Sequence, residues 1–182
     1  MLKKNILNSL KLINYYKFIN YNLIYNNKAI NRYKKDNYEI SEDKSKKLEL
    51  LKKEIMNLKN CELKKQAKNI VFCDGNPKSK IMLIGEAPGA NEDQEGLPFV
   101  GRAGILLDKM LAAIRLDRKK VYISNIINYR PPDNRRPTEE EIKRYLPFII
   151  KHIEIINPKI LILLGSTAMN ALIGKDVVIS KM

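Results

Sequence analysis

The sequence predicts an α/β protein, a three-layer α/β/α sandwich built around a short parallel sheet. Apolar runs of strand length alternate along the chain with segments of helical periodicity, the order expected of parallel strands joined by crossover helices. The runs lie at residues 80–85, 121–127 and 159–165. They are largely apolar, as are strands that helices cover on both faces.

The first part of the chain differs in composition from the rest. Residues 1–45 are rich in Asn, Tyr, Lys and Ile, and we expect a helical extension and a linker there. A clearer helix runs to about residue 59, because leucines and isoleucines recur at helical spacing. We therefore divide the chain into an extension at residues 1–45 and a domain at residues 46–182.

Three further helices complete the alternation of strands and helices. Apolar spacing predicts one over residues 104–116 and another from a Thr138 cap to residue 156. The last begins at Ser166, directly after the third strand. Right-handed crossovers bring the loops that follow the three strands to one edge of the sheet, where α/β proteins carry their binding sites.

Composition narrows the class of partner. The 182 residues are 45% hydrophobic, and the formal net charge of +14 favours a polyanion such as nucleic acid. For the extension, a compositional bias without a binding role is the alternative. Cys61 and Cys73 make neither a disulfide scaffold nor a complete metal site. No apolar run of about 18 residues and no secretory signal is present, so we expect a cytoplasmic protein without membrane contact.

The stretch at residues 85–104 is the most informative part of the chain. It reads G-E-A-P-G-A-N-E-D-Q-E-G-L-P-F-V-G-R-A-G and directly follows a buried strand. It is neither a Walker phosphate loop, which needs a Lys after its second glycine, nor a dinucleotide fingerprint. Its first five residues alone would also fit a tight turn. Carboxylates, glycines and one aromatic ring together favour a pocket for a flat, polar ring.

The whole pattern resembles the family 4 uracil-DNA glycosylases, which carry G-E-[AG]-P-G, an acidic tract and P-F-V-G-[RK]-A-G. The match extends over roughly residues 50–182 through Y-I-S-N-I-I, R-P-P-D-N-R-R-P and I-I-N-P-K-I. The resemblance implies an enzyme of base excision repair that hydrolyses the N-glycosidic bond of flipped uracil in single- or double-stranded DNA. It implies no metal or nucleotide cofactor for this reaction.

The resemblance also implies a uracil-binding set. Phe99 stacks on the flipped ring, and Asn125 reads its edge because an amide offers a donor and an acceptor together. Cytosine presents the opposite pattern and is rejected by unmet hydrogen bonds. Backbone N–H groups around Glu86 and Ala87 bind the uracil oxygen that gains charge. The alternatives are a core phenylalanine beneath a loop for Phe99 and a strand-end cap for Asn125.

Three carboxylates are candidates for the catalytic role. Cleavage builds positive charge on the sugar, and a nearby carboxylate steadies that charge or orients water. Glu86 and Glu92 are the first candidates, and Asp93 is the third. For Glu92 and Asp93 the alternative is a solvated acidic turn.

A proline-rich tract supplies the candidates for binding DNA phosphates. Arg130, Arg135 and Arg136 lie in it, and its prolines limit the ordering cost of such contacts. The alternative is a solvated surface loop. We expect Arg118 and His152 to be ordinary surface residues.

The chain departs from the family pattern at the cluster cysteines. Typical members carry four cysteines that bind a 4Fe–4S cluster, and the matching positions here are Leu58, Cys61, Tyr129 and Tyr145. Cys73 matches no ligand position. One thiol of four cannot hold a cluster, so we expect none, with apolar and aromatic packing in its place.

A second departure concerns a later motif of the family, H-P-[SA]-x, and the strand before it. Neither occurs before the printed sequence ends at Met182. We therefore expect an incomplete domain at residues 46–182, without the final edge strand and with an open edge beside the strand at 159–165. We also expect weakened turnover, because losing a comparable donor costs about 10²–10³ in rate. The alternative function is an inactive fragment that binds DNA.

Overall fold

The computed structural model describes residues 40–174, with their side chains from Lys44 onward. The chain divides into two units, Met1–Tyr38 and Glu39–Met182, and the described residues belong to the second. The predicted helical extension falls mostly on residues 1–39, which lie outside the described residues. Helix α1, Ile40–Met56, runs across residue 45, and the division of the chain at that residue stays a prediction.

Four strands form one sheet in the order β1-β3-β2-β4. Strands β2, Ile81–Gly85, and β3, Tyr122–Asn125, are parallel, and β4, Ile160–Leu163, is parallel to β2. All three predicted strands are confirmed, with shorter bounds. The sheet is nevertheless mixed, because the short strand β1, Asp74–Gly75, pairs antiparallel with β3. Two residues carry no periodicity, so β1 leaves no signal in the sequence.

The long helices agree with the prediction. The helix predicted to start at Thr138 is confirmed, because the Thr138 hydroxyl oxygen accepts the N–H of Glu141 over 3.2 Å. Within residues 40–174, no helix is long and apolar enough to cross a membrane. The α-helices of this part of the chain are α1 Ile40–Met56, α2 Glu62–Gln66, α3 Ala90–Glu95, α4 Arg102–Ala113, α5 Glu139–Ile156 and α6 Ser166–Leu172.

Helices cover both faces of the sheet. Successive side chains of β2 point to opposite faces. Met82 and Ile84 pack with buried residues of α1 and α5. On the other face, Leu83 packs with Leu107 and Leu111 of α4. The predicted three-layer α/β/α sandwich is therefore confirmed.

Strand β4 is the outermost strand on its side of the sheet. Among the described residues it pairs with β2 alone. Its apolar side chains are open to solvent, and Ile160 is 53% exposed. In this part of the chain the predicted open edge is present, and such an edge is prone to pair with another strand.

His152 is buried in α5 against the sheet, so its expected surface position is wrong. Its side chain is 1% exposed, its ring stacks on Phe72, and its Nε2 lies 2.7 Å from the hydroxyl of Tyr122. The apolar period of α5 turns this residue inward together with Ile149 and Ile156. Burial lowers the pKa of His152 to about 3, because the charged ring would lose its hydration.

We expect the stability of the protein to fall as the pH drops below about 6.5, the pKa of histidine in an unfolded chain. The folded pKa of His152 is lower, at about 3, so unfolding takes up a proton in this range. The contribution is complete above pH 6.5 and declines toward pH 3 by about 1.4 kcal/mol for each pH unit. NMR can follow the titration directly, because His152 is the only histidine in the sequence.

Urea unfolding of the wild type and of His152→Gln at several pH values isolates this contribution from that of the carboxylates. The variant should show a flatter dependence on pH. Parallel profiles for the two proteins would contradict the assignment, as would a His152 resonance that titrates near pH 6.5.

Candidate functional site

The ends of the three parallel strands meet at one edge of the sheet, as the sequence predicts. Gly85 and Asn125 are register partners at the ends of β2 and β3. The pairing continues past the strands, where the N–H of Ile126 donates to the carbonyl of Gly85 over 2.9 Å. From the first turn of α6, which follows β4, the hydroxyl of Thr167 donates to Oε2 of Glu86 over 2.5 Å. One site therefore contains residues from all three strand ends.

The ring of Phe99 and the amide of Asn125 converge above Gly85. A Cβ atom placed on Gly85 would lie 2.4 Å from Cζ of Phe99 and 2.5 Å from Oδ1 of Asn125. Asn125 is 2% exposed, whereas Phe99 is half-buried. Glycine at position 85 thus leaves space that an apolar ring and a hydrogen-bonding amide share. This pair of surfaces suits a flat ligand with a polar edge.

Glu92 lies in α3, a short helix within the stretch predicted as a loop, and it bonds to residues on both sides of this helix. Its Oε2 accepts the N–H of Gly89 over 3.1 Å, and its Oε1 accepts the N–H of Gly101 over 2.7 Å. Gly89 and Gly101 precede α3 and α4, so this carboxylate joins the starts of two helices. At 9% exposure, Glu92 is not part of a solvated turn.

Asp93, also in α3, connects this helix to the segment before β1. Its Oδ1 accepts the N–H groups of both Lys68 and Asn69, over 2.9 and 3.1 Å. It is 7% exposed, so the solvated acidic turn is wrong for this residue too. Backbone N–H groups bond to both carboxylate oxygens of Glu92 and to one of Asp93. Of the three carboxylates, Glu86 is the one that bonds to a residue beyond another strand end.

We expect Glu92→Gln to lower the free energy of unfolding by about 1–3 kcal/mol. Glutamine keeps one acceptor oxygen, and its NH₂ group would face the N–H of Gly89 or Gly101. Asp93→Asn is the matched control, because both N–H groups at Asp93 bond to the same oxygen and an amide can retain it. Urea unfolding measures both variants. An unchanged stability for Glu92→Gln would contradict this structural role.

Glu86 and Ala87 lie half-buried at the start of the loop. Ala87 packs against the core on the α1 and α5 side of the sheet. The carbonyl of Glu86 accepts the N–H of Ile127 over 3.1 Å, and its carboxylate bonds to Thr167. Sequence reasoning did not assign Thr167 a role. The available signal was its place in the turn after the third strand, where loops converge.

The three arginines of the proline-rich tract differ in their surroundings. Both Nη atoms of Arg135 donate to the carboxylate of Glu141, over 2.9 and 2.7 Å, and this guanidinium lowers the pKa of Glu141. Arg130 donates through Nε to Oδ1 of Asn134 over 2.8 Å. Arg136 is exposed. Arg135 thus supports the start of α5 through Glu141, and its guanidinium is less available for bidentate hydrogen bonds to a phosphate.

The positions that the family assigns to cluster cysteines lie in one part of the core. Sγ of Cys61 is 3.2 Å from the hydroxyl of Tyr145, and Tyr129 and Leu58 belong to the same packed cluster. Burial is the main cause that raises the pKa of both Tyr129 and Tyr145, and the nearby Cys61 raises it further. A thiol, two phenols and a leucine do not supply the four thiolates that a 4Fe–4S cluster needs, so the residues present do not fit this cofactor. Among residues 40–174 no group of three His, Cys, Asp or Glu side chains is placed to hold a metal ion.

The chain is similar to known proteins of one superfamily. Residues 72–181 match the family model described as the uracil DNA glycosylase superfamily. The chain is 45% identical over 129 residues to a type-4 uracil-DNA glycosylase of Sulfurisphaera tokodaii, which covers 70% of this chain and 59% of that protein. For the type-4 enzyme of Archaeoglobus fulgidus the identity is 46% over 116 residues, covering 64% of this chain and 58% of that protein.

A third relative is covered more fully. The chain is 41% identical over 135 residues to a type-4 uracil-DNA glycosylase of Thermotoga maritima, with 74% of this chain and 70% of that protein covered. The chain thus spans between 58% and 70% of the length of these three curated relatives.

Proposed function

Because the chain belongs to the uracil-DNA glycosylase superfamily, on its type-4 branch, we propose that it hydrolyses the N-glycosidic bond of uracil in DNA. The convergence of Phe99 and Asn125 above Gly85 is the observation that carries the proposal. Such a site can accept a base only after it has left the helical stack. The activity is that of the first step of base excision repair, which leaves an abasic site.

Uracil recognition is assigned to Phe99 and Asn125. The ring of Phe99 supplies a stacking surface, and base–aromatic stacking contributes about 1–3 kcal/mol. The Asn125 amide donates to O4 of uracil and accepts from N3–H, a pairing that cytosine would leave unmet. Because Asn125 is almost fully buried, an unpaired amide there would lack water as a substitute partner.

The bond that breaks joins N1 of uracil to C1′ of the sugar, and its electron pair leaves with the base. Water adds to C1′ and releases a proton, while the base anion gains one, so the products are free uracil and the abasic sugar. Glu86 is the proposed carboxylate that steadies the sugar charge or orients this water. Thr167 holds one of its oxygens in place. Backbone N–H groups at Glu86 and Ala87 are the proposed donors to O2 of the leaving base.

DNA is the proposed partner, and the phosphate contacts rest on the basic surface. Arg136 and Arg130 are the arginines of the tract that we assign to phosphates, with Arg135 serving mainly the start of α5. Binding releases counterions from the DNA, and this release is less favourable at higher salt. Binding should therefore fall steeply with ionic strength.

The proposed reaction uses no metal at the site formed by the three strand ends. Stoichiometric iron in the purified protein would contradict the absence of a cluster.

The test is excision from a single-stranded oligonucleotide that contains one uracil, followed by alkali. Strand scission at uracil, and none in a matched oligonucleotide with cytosine, supports the enzyme. The protein should come from a host without uracil-excising activity, with Asn125→Asp purified in parallel. No scission by a folded protein would contradict the proposal. Salt-sensitive binding without scission would favour the alternative, a DNA-binding protein without turnover.

A further inference from the structure

We infer that Arg118 is a positioning residue that sets the Phe99 ring over the site. This inference rests on the proposed function, since it concerns the ring that is to stack on uracil. Arg118 was expected on the surface, yet its side chain is only 23% exposed. It reaches the connection between α3 and α4 at Phe99, 19 residues earlier in the chain.

The guanidinium of Arg118 donates hydrogen bonds to two successive backbone carbonyls. Nη1 donates to the carbonyl of Pro98 over 3.0 Å, and Nη2 donates to the carbonyl of Phe99. The planar guanidinium can donate in two directions at once, which a lysine ammonium cannot do with the same geometry. The contact therefore fixes the peptide planes on both sides of the Phe99 α-carbon.

Two carboxylates orient this guanidinium through ion pairs. Asp74 in β1 bonds to Nη1 of Arg118 over 2.8 Å, and Asp108 in α4 bonds to Nε over 2.8 Å. They come from different layers of the fold, so the guanidinium is held from two sides. The short strand β1 contributes to this arrangement, because its pairing with β3 positions Asp74 beside Arg118.

Phe99 needs such support because its backbone is strained. Its φ of 56° lies in the left-handed region, which a residue with a Cβ enters at a cost. The Phe99 carbonyl also rests against Gly104, where an added Cβ would lie 1.7 Å from the oxygen. Gly104 on one side and Arg118 on the other hold the carbonyl, and the direction of the ring follows from the backbone that they fix.

The effect on the site passes through one residue only. Arg118 holds the carbonyl of Phe99, and the ring of the same residue stands over Gly85 beside the Asn125 amide. Displacing a reacting group by about 1 Å can cost 10²-fold in rate. Loss of Arg118 should therefore lower excision more than it lowers binding to DNA.

The test compares Arg118→Ala with Arg144→Ala as a matched control. Arg144 also donates to two successive backbone carbonyls, those of Lys59 and Asn60, but it lies outside the proposed site. We expect Arg118→Ala to lower single-turnover uracil excision by about 100-fold. Binding to uracil-free DNA should stay within about twofold, because phosphate contacts set it. Arg144→Ala should retain the excision rate.

A second comparison separates positioning from general damage to the fold. If Arg118 acts through the Phe99 ring, adding Arg118→Ala to Phe99→Ala should slow excision by no more than about threefold. Additive losses would overturn the inference. Arg118→Lys should not restore the rate of excision, because lysine cannot donate to both carbonyls with the same geometry.

A third readout does not depend on turnover. With fluorophenylalanine at the four phenylalanines, the ¹⁹F resonance of position 99 can be assigned by its loss in Phe99→Leu. Arg118→Ala should shift that resonance, and Arg144→Ala should not. An unshifted resonance would overturn the inference whatever the excision rates are. A shifted resonance in a protein whose wild type does not excise uracil would contradict the proposed function and leave the positioning role standing.

Discussion

Asn125→Asp is expected to lower uracil excision by about 10²–10³-fold, the range seen when one transition-state donor is removed. Aspartate has nearly the shape of asparagine, yet its ionised carboxylate has no hydrogen to donate to O4 of uracil. Two acceptors would then face each other in a place that is 2% exposed, where water cannot intervene. DNA affinity should change little, because the phosphates bind elsewhere.

Single-turnover excision and binding to uracil-free DNA measure the two effects separately. Asn128→Asp is the matched control, because Asn128 is also buried in the segment after β3 but donates to the carbonyl of Val71. That variant should lose stability and keep its excision rate while folded. Equal excision by Asn125→Asp and the wild type would remove Asn125 from uracil recognition.

Gly85→Ala should lower excision by about 10²-fold while the fold remains intact, because its methyl group would displace the groups that read the base. The added Cβ would lie within 2.5 Å of both Cζ of Phe99 and Oδ1 of Asn125. Both atoms are at the ends of side chains that can move, so the clash is relieved by opening the recognition pair rather than by unfolding. The φ of Gly85 lies outside the left-handed region, so alanine adds no backbone strain there.

Gly96→Ala is the matched control for this prediction. Gly96 ends α3 at φ 75°, and an added Cβ there would meet no atom closer than 3.8 Å. Alanine at position 96 should therefore cost about 1 kcal/mol of stability through backbone strain alone, without loss of excision by the folded protein. Thermal unfolding and single-turnover excision of both variants decide the matter. Full excision by Gly85→Ala would show that the packing of Phe99 and Asn125 against Gly85 does not set how the base is read.

The architecture follows largely from local patterns. Continuous apolar runs predict strands β2, β3 and β4, and the Thr138 cap predicts the start of α5. The handedness of the crossovers then predicts that the strand ends meet, which the bond between Glu86 and Thr167 bears out. The same rule predicts, from the sequence, that Asn125 lies close to the stretch at residues 85–104. The roles of Phe99, Asn125 and Glu86 in uracil excision stay proposals.

The sequence by itself determined the three parallel strands, the helices α1, α4, α5 and α6, and which strand ends share an edge, because periodicity, caps and crossover handedness are local or general rules. Only the tertiary structure decided which partners the titratable side chains bond to. Glu92 and Asp93 bond to backbone N–H groups, Arg118 reaches the carbonyl of Phe99, and His152 meets Tyr122 in the core. Apart from the bond of Glu92 to Gly89, these partners lie 9 to 30 residues apart. Their hydrogen bonds depend on how the layers pack, which no local pattern encodes.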